Sequence, residues 1–578
     1  MILHDYKFDP KYSTSVAYFS MEFAIHQSLK IYSGGLGFLA GSHMRSAYSL
    51  KQNVVGVGIL WSFGYYDQSR NEDRYLKIEF IRKYYYFLID LGIQATVKIH
   101  SQDVHIKAFY LPPNTFSSAP LILLSTDIEE NDFLARTITH KLYDAHEETR
   151  ISQEIVLGIG GIKVLEALKH SIDIYHMNEG HSLPLIYELY AKYRDMKEVK
   201  KRVVFTTHTP EQAGNEEHNI HLLHKFGFFN GLDLADVRTV MMMQNDDRFN
   251  LTIGALRSAK ITNAVSKVHS KVANRMWLHC EGCSEITYIT NAQSRRYWSD
   301  KAMLTALDEH EDYALVSRKK HLKRILFNEV ANQTGKMFDP EVLTIVWARR
   351  FAEYKRPGLL KHDFARFKKL MENHERPVQV IWAGKPYPLD TNAINSFNEL
   401  IHISHSFKNM AVLVGYELDL SAKLKQGSDI WLNTPRISRE ASGTSGMTAS
   451  MNGSIHFSTE DGWHPEFAVH GCNAFTIPAA DHTALPEVQD AEDNKNLMDI
   501  LEKEIIPMYY DKPEQWTQIM KTAMSDVIPA FDSGRMVHEY YTKMYDPQLG
   551  SDLVHLALAS ASRGVNLPHP KDAGSFEL

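Results

Sequence analysis

Four cations fall within eight residues of the segment A-R-R-F-A-E-Y-K-R-P: Arg349, Arg350, Lys355 and Arg356. The segment follows Val342–Trp347, an apolar run that reads as a strand, so the charges stand where a strand gives way to a loop. Arginine's planar fork binds oxygens in pairs and lysine adds a point charge, a combination suited to phosphate. A second stretch, R-E-A-S-G-T-S-G-M-T-A-S-M-N-G over Arg439–Gly453, begins with small residues from Ala441 to Gly446, including Ser442, Gly443 and Thr444. Met447, Ala449 and Met451 then stand at helix-compatible positions. Small residues leave backbone N–H groups uncovered, and a loop running into a helix start favours negative charge. Glu440, just ahead of the loop, is placed to accept hydrogen bonds from hydroxyls. Separately, a basic surface loop and an ordinary turn account for these stretches equally well. Together they describe an anion pocket.

The elements that must carry these residues read as two α/β units. In the first, Val16–Phe23 is a strand-like run ending in Glu22 and leading to Gly34-Gly35-Leu36-Gly37, then to L-A-G-S-H-M-R-S-A at helical spacing. Strand, glycine loop and helix let backbone approach a ligand closely. Val54–Tyr65 is a further buried strand, and Tyr75–Ser125 alternates in strand-like segments as a β-rich insertion. Glu147–Leu168 has the spacing of an amphipathic helix, with Ile151, Ile155, Ile159, Ile162 and Leu165 on its apolar stripe. Ile172–His181 and Val203–Gly214 are strands running into polar loops, which bring Asn178 and His208 to strand ends, where open α/β sheets bind ligands. A later strand leads to Asn291 and on to Trp298. The charged helical stretch near 300–335 reads mostly as a solvated helix face and marks a boundary. Beyond it, strands at Val342–Trp347, Val378–Lys385, Met410–Tyr416 and Ser428–Leu432 form the second unit, followed by helices over Lys495–Tyr509 and Pro513–Tyr545. The division expected is 1–300 with the β-rich insertion, 301–525, and 526–578, the last comprising a helix that crosses back and a mobile tail from about Ser562.

E-A-S-G-T-S-G-M followed by M-N-G resembles the signature of the α-glucan (glycogen, starch, maltodextrin) phosphorylases, in their short bacterial and archaeal form. The Gly-Gly-Leu-Gly loop, N-E-G-H at Asn178–His181, T-T-H-T-P around His208 and A-R-R-F-A-E-Y-K-R are similar to segments of the same family and occur in the same order. The resemblance implies two Rossmann-like domains facing each other across a cleft, the GT-B glycosyltransferase fold. It also implies phosphorolysis of α-1,4-glucan by inorganic phosphate to α-glucose 1-phosphate, with retention. By the same resemblance Arg350 and Lys355 grip the substrate phosphate, and His208, with its backbone carbonyl and ring, meets the sugar. Glu440 and Ser442 hold the sugar's 3-hydroxyl region, Asn291 its outer hydroxyls, Asn178 and Gly443 also bind substrate, Gly443 as part of a phosphate cradle, and Gly34, Gly35 and Leu36 close over sugar and phosphate. Arg349, Thr444 and Trp298 face pyridoxal phosphate, the family's cofactor.

Three positions depart from the family's pattern. The residue after Met447 is a lysine in the family, where it holds pyridoxal phosphate as a Schiff base, and here it is Thr448. A hydroxyl forms no imine, so the cofactor is expected to be non-covalent or absent. Ser42 stands in place of an aspartate, and Ala292-Gln293-Ser294 follow Asn291 where the family has a glycine. Three readings follow: a phosphorylase-like enzyme with untethered cofactor, a cofactor-free glucosyltransferase taking a sugar-nucleotide diphosphate, or a non-catalytic glucan-binding protein.

The 578 residues, 44% hydrophobic and 23% charged, are those of a globular chain of several domains. A net charge of −7 argues against nucleic acid and anionic membrane as partners. Three cysteines make no disulfide framework and point to a reducing compartment, and the start carries no signal-peptide pattern, so the expectation is cytoplasmic. Homo-oligomerisation is left open. Cys280-Glu281-Gly282-Cys283 has zinc-like spacing but no second ligand pair, and His218, His221 and His224 read as a polar helix face, so no metal is expected.

Overall fold

The computed structural model describes residues 3–211, 214–243 and 246–549. The first sheet contains β1 (Val16–Phe19), β2 (Val54–Ile59), β3 (Ile89–Ile99), β4 (Gln102–Leu111), β5 (Leu121–Ser125), β6 (Ile174–Asn178), β7 (Val203–Thr206), β8 (Ile261–Ala264) and β9 (Ile286–Tyr288). Their order is β9-β8-β7-β6-β1-β2-β5-β4-β3. All neighbours are parallel except the last pairs, where β4 runs antiparallel to both β5 and β3. The β-rich stretch therefore extends one edge of the parallel sheet. Strands β1, β2, β5, β6 and β7 are buried along their whole length. That is why they read as continuous apolar runs without alternation: helices cover both faces.

The second sheet contains β10 (Leu343–Ala348), β11 (Val378–Ala383), β12 (Met410–Leu413), β13 (Ile430–Asn433), β14 (Ile455–Thr459) and β15 (Ala474–Ile477), in the order β12-β11-β10-β13-β14-β15. Every pairing in it is parallel. The strand order reverses beside β10 and again beside β1, so each sheet has a topological switch point at which strand ends open a crevice.

Six helices matter for the site: α1 (Gly35–Ser49), α2 (Asp312–Thr334), α3 (Leu418–Gly427), α4 (Ser445–Ser450), α5 (Pro513–Phe531) and α6 (Ser533–Tyr540). The stripe expected over Glu147–Leu168 forms as helices Glu147–Ile155 and Gly161–Ala167 joined by a π-helical turn, and its five isoleucine and leucine positions are buried. Helix α2 leaves His321 and Arg324 exposed and Arg318 and Lys320 partly so, in keeping with a mostly solvated face, but two of its lysines turn inward. Lys319 and Lys323 on it are buried, Lys319 Nζ donating to the carbonyl oxygens of Asn452 and Gln426 at 2.9 and 3.0 Å, and Lys323 pairing with Asp429. Charge here ties the connecting helix to the second sheet.

The chain leaves the second unit at α5, whose Phe531 packs with Met447 and Met451, and returns to the first at α6. There Ser533 Oγ lies 2.6 Å from Ser46 Oγ, His538 Nδ1 lies 2.8 Å from Tyr12 OH, and Tyr545 OH lies 2.6 Å from His176 Nδ1. The expected tail from Ser562 lies outside the described residues. Cys280 and Cys283 are paired as a disulfide, a pairing that their spacing did not lead the sequence reading to expect. No helix among the described residues is long and apolar enough to cross a membrane.

Candidate active site

Where β10 ends, Arg349 and Arg350 turn into the crevice between the two sheets. Arg349 is buried, with Nη2 2.9 Å from Glu440 Oε2 while Nε and Nη1 have no partner. Arg350 is exposed to the crevice and makes no ion pair among the described residues. Lys355, on the short 3₁₀ turn Glu353–Lys355, reaches the same Glu440 oxygen at 2.7 Å. Burial raises the Glu440 carboxyl, but the charges of Lys355 and Arg349 outweigh it and hold the group down to about 2. Arg356 points away: it bonds Thr434 O and Pro435 O and pairs with Asp490 and Asp493. Of the four cations, three face the crevice and the fourth braces the loop.

The small-residue loop follows Glu440. Asp461 accepts from the backbone N–H groups of Arg439 and Glu440 at 3.0 and 2.8 Å, which fixes its start. Ser442 is buried with its Oγ unpartnered, Gly443 has φ +82°, and Thr444 is half-buried at the head of α4. Helix α4 is only six residues long, shorter than the sequence suggests.

Across the crevice, His208 Nε2 donates to Asn178 Oδ1 at 2.7 Å, and Asn178 Nδ2 donates to Ser20 Oγ at 3.1 Å. Burial pushes His208 down to about 3, so its ring is neutral and Nδ1 is an acceptor. Asn291 is buried with Oδ1 unpartnered. Gly34, Gly35 and Leu36 form the opposite rim. A Cβ on Gly34 or Gly35 would meet nothing within 4 Å, whereas one on Gly37 would lie 2.6 Å from Glu22 Oε2. Glu22 organises this rim, accepting from Ser33 N at 2.6 Å, Gly34 N at 3.2 Å and Tyr143 OH at 2.7 Å.

Arg349, Arg350, Lys355, Glu440, the Ser442–Thr444 loop, His208, Asn291 and the Gly34–Leu36 rim border one cavity of about 720 Å³; Asn178 sits behind His208. Two residues expected to face a cofactor do not border it. Trp298 is 1% exposed and Thr448 is 0% exposed. Four groups not foreseen as site residues do border it. Lys385, pushed down to about 7 by burial, donates to Tyr66 O at 2.9 Å. Glu179, raised by burial to about 7, accepts from His208 N at 2.7 Å. Tyr143 and Tyr416 complete the wall. The strand-end positions of Lys385 and Glu179 were the available signal; each is a single residue in a segment marked for another reason.

Further along the cavity lie Arg150, His181, Glu216 and His218. His218 sits in the short strand Glu217–Asn219, which corrects its reading as part of a helix face. Ligand atoms of Glu154, Glu216 and His218 lie within 4.8 Å of one another, so neighbours that the sequence concealed do converge on this histidine. Burial raises Glu216, yet Arg150 and His181 hold it down to about 2, while Glu154 is driven well above the carboxylate range by burial and by Glu216.

A model of the carbohydrate phosphorylase family matches residues 255–496. Maltodextrin phosphorylase of Thermococcus litoralis is 32% identical over 94% of this chain and 72% of its own length. The chain belongs to the carbohydrate phosphorylase family. Glycogen phosphorylase of Aquifex aeolicus is 30% identical, covering 93% of this chain and 87% of its own. An uncharacterized protein of Methanocaldococcus jannaschii is 47% identical over 92% of this chain and 99% of its own. The two largely parallel sheets, the first with an antiparallel edge, are those of the phosphorylase GT-B fold.

Carbohydrate phosphorylases generally use pyridoxal phosphate. The unpartnered Nε and Nη1 of Arg349 would suit a phosphate group. The ring end does not fit. Thr448 offers no amine, and its Oγ1 already donates to Ser445 O at 2.9 Å. The Trp298 indole is enclosed by protein. No step below is routed through the cofactor.

Proposed function

We propose that this carbohydrate phosphorylase homologue is a retaining glucosyltransferase that cleaves the non-reducing end of an α-1,4-glucan with inorganic phosphate, giving α-glucose 1-phosphate. The observation that carries this reading is the facing of three crevice cations (Arg349, Arg350 and Lys355) and the unpartnered polar atoms of Ser442 and Asn291 across one cavity. Arg350 and Lys355 hold the phosphate, and Glu440 fixes the orientation of Lys355 and Arg349. Thr444 and Gly443 border the phosphate from the loop. His208, positioned by Asn178, accepts from a sugar hydroxyl through Nδ1, and Asn291 and Ser442 take the outer hydroxyls. Gly34, Gly35 and Leu36 leave room for the glucosyl ring.

The incoming phosphate gives its proton to the glycosidic oxygen as the bond from that oxygen to the anomeric carbon breaks. One phosphate oxygen then bonds the same carbon from the same face. The cationic wall stabilises the phosphate's charge while positive charge develops on the sugar, an electrostatic contribution needing no carboxylate pair. The inferred domain division, with boundaries near 300 and 525, puts the cations on the second unit and the sugar-binding residues mainly on the first. Maltodextrin phosphorylase and glycogen phosphorylase among the relatives support the glucan as substrate.

Chain extension tests the donor. A maltodextrin primer supplied with glucose 1-phosphate should lengthen and release inorganic phosphate, and a nucleotide-diphosphate glucose should not replace that donor. Extension with the nucleotide sugar alone would overturn the phosphorylase reading in favour of a sugar-nucleotide transferase. Extension with neither would leave a glucan-binding protein.

A further inference from the structure

The positions at which this sequence departs from the phosphorylase pattern are far apart in the chain, yet Ser42 and the 292–294 segment meet at the Trp298 indole, and position 448 is tied to the backbone of the same residue. Ser42 Oγ donates to Gln293 Oε1 at 2.6 Å, and the same oxygen accepts from Trp298 Nε1 at 3.0 Å. Asn452 Nδ2 donates to Trp298 O at 2.9 Å and to Thr448 O at 2.8 Å, which joins the indole's backbone to position 448. Ser42 Oγ, Gln293 Oε1 and Trp298 Nε1 are therefore bonded to one another, while Gln293 Nε2 is buried without a partner.

The indole's faces are covered as well. Lys425, on α3, is buried, and its Nζ lies 3.6 Å from the centroid of the Trp298 ring and 5.2 Å from that of Phe38. The Phe38 and Trp298 centroids are 5.4 Å apart with planes tilted by 44°, and Tyr32, Ala24 and Leu418 pack around them as one apolar cluster. At 3.6 Å an amine stands where a stacked aromatic ring would have to lie. The amine makes no hydrogen bond or ion pair among the described residues. Desolvation holds Lys425 well below the usual lysine range, and the two aromatic faces are its polar compensation. Phe38 borders the cavity and separates Lys425 from it.

We propose that this wall has replaced the family's cofactor site, so that the chain does not take up pyridoxal phosphate: Lys425 and Phe38 occupy the space beside Trp298 and position 448 that the cofactor's ring would need. The loss of lysine at 448 is then one part of a rebuilt wall. Restoring that lysine alone does not restore the site.

The test reads binding, so it is independent of whether the glucosyl transfer assigned above is observed. Purified wild type, Thr448→Lys, and Thr448→Lys combined with Lys425→Ala and Phe38→Ala are incubated with pyridoxal 5′-phosphate and reduced with borohydride. Each is then gel-filtered and mapped by peptide mass, with circular dichroism to confirm folding. The expected result is no specific pyridoxyl group on wild type or on Thr448→Lys, and one equivalent at position 448 in the combined variant. One equivalent per chain on Thr448→Lys alone, or non-covalent retention of one equivalent by wild type before reduction, overturns the proposal. A pyridoxyl group on Lys425 overturns it too, making that amine a tether. A folded combined variant that takes up none shows that these two side chains are not what closes the site, and overturns it equally.

Discussion

Lys355 Nζ lies 2.7 Å from Glu440 Oε2, and Arg349 Nη2 reaches the same oxygen at 2.9 Å. One carboxylate thus neutralises part of two cations and holds both at the edge of the crevice. The unpartnered Nε and Nη1 of Arg349 are left for an incoming anion, and Arg350, beside Tyr354, borders the same cavity.

Glu440→Gln keeps the shape of this link and removes its charge. Phosphate-dependent turnover, read as kcat/KM for inorganic phosphate, should fall on the order of a hundredfold, equivalent to about 2.7 kcal/mol. The stability effect carries a pH signature. Because Glu440 is held down to about 2, its contribution is full above the unfolded carboxyl's pKa of about 4.3 and is lost as pH falls through the folded value. Denaturation of wild type and variant should therefore converge toward pH 2.

Gly443→Ala tests the loop. Its φ of +82° is left-handed, and a Cβ there would lie 3.3 Å from Glu440 Cγ and 3.7 Å from Arg349 Nη2. A stability loss of about 1–2 kcal/mol is expected from the backbone alone. Activity should drop further than stability does, because the new methyl presses on the two residues that define the anion site.

Glu179 has φ +72° and a carboxyl raised to about 7 by burial. An acid whose folded pKa is raised binds a proton in the native state that the unfolded chain has already released. Its contribution therefore makes stability fall as pH rises from about 4.3 to about 7. Glu179→Gln should flatten that part of the stability profile measured by denaturant titration. Asp461, likewise raised to about 7, and Glu154, driven above the carboxylate range by burial, keep a slope of the same sign in the variant.

Lys323 on α2 pairs with Asp429 in the core of the second unit. Lys323→Met leaves that aspartate buried without its cation, at a cost of about 3–5 kcal/mol. The midpoint of denaturation should shift accordingly, with KM for glucan unchanged in whatever fraction stays folded.

The contiguous parts of the site are legible in the sequence because phosphate needs several donors and one loop supplies several. A-R-R-F-A-E-Y-K and E-A-S-G-T are such loops, and the structure brings them to the same cavity. The parallel strands are legible for a similar reason, since burial on both faces writes an uninterrupted apolar run. Lys385, Glu179 and Tyr143 come to the cavity singly, from the ends of separate strands and loops, and a single residue has no pattern. Ser42 and Gln293 look like unrelated losses in the chain and prove to be a hydrogen-bonded pair. Lys319 and Lys323 escape the reading of α2 as a mostly solvated face because composition does not reveal which turn of a helix faces the sheet. His218 misleads through a three-residue spacing that a strand end interrupts.

The measurement that tests the central claim most directly is release of glucose 1-phosphate from maltodextrin and inorganic phosphate, with wild type compared with Arg350→Met. Arg350 makes no ion pair among the described residues, so the variant should fold normally while losing a crevice cation. The account predicts the α anomer from wild type, in proportion to phosphate added, and a rate on the order of a hundred- to a thousandfold lower from the variant. No glucose 1-phosphate from wild type at any phosphate concentration, or an undiminished rate in the variant, would contradict it.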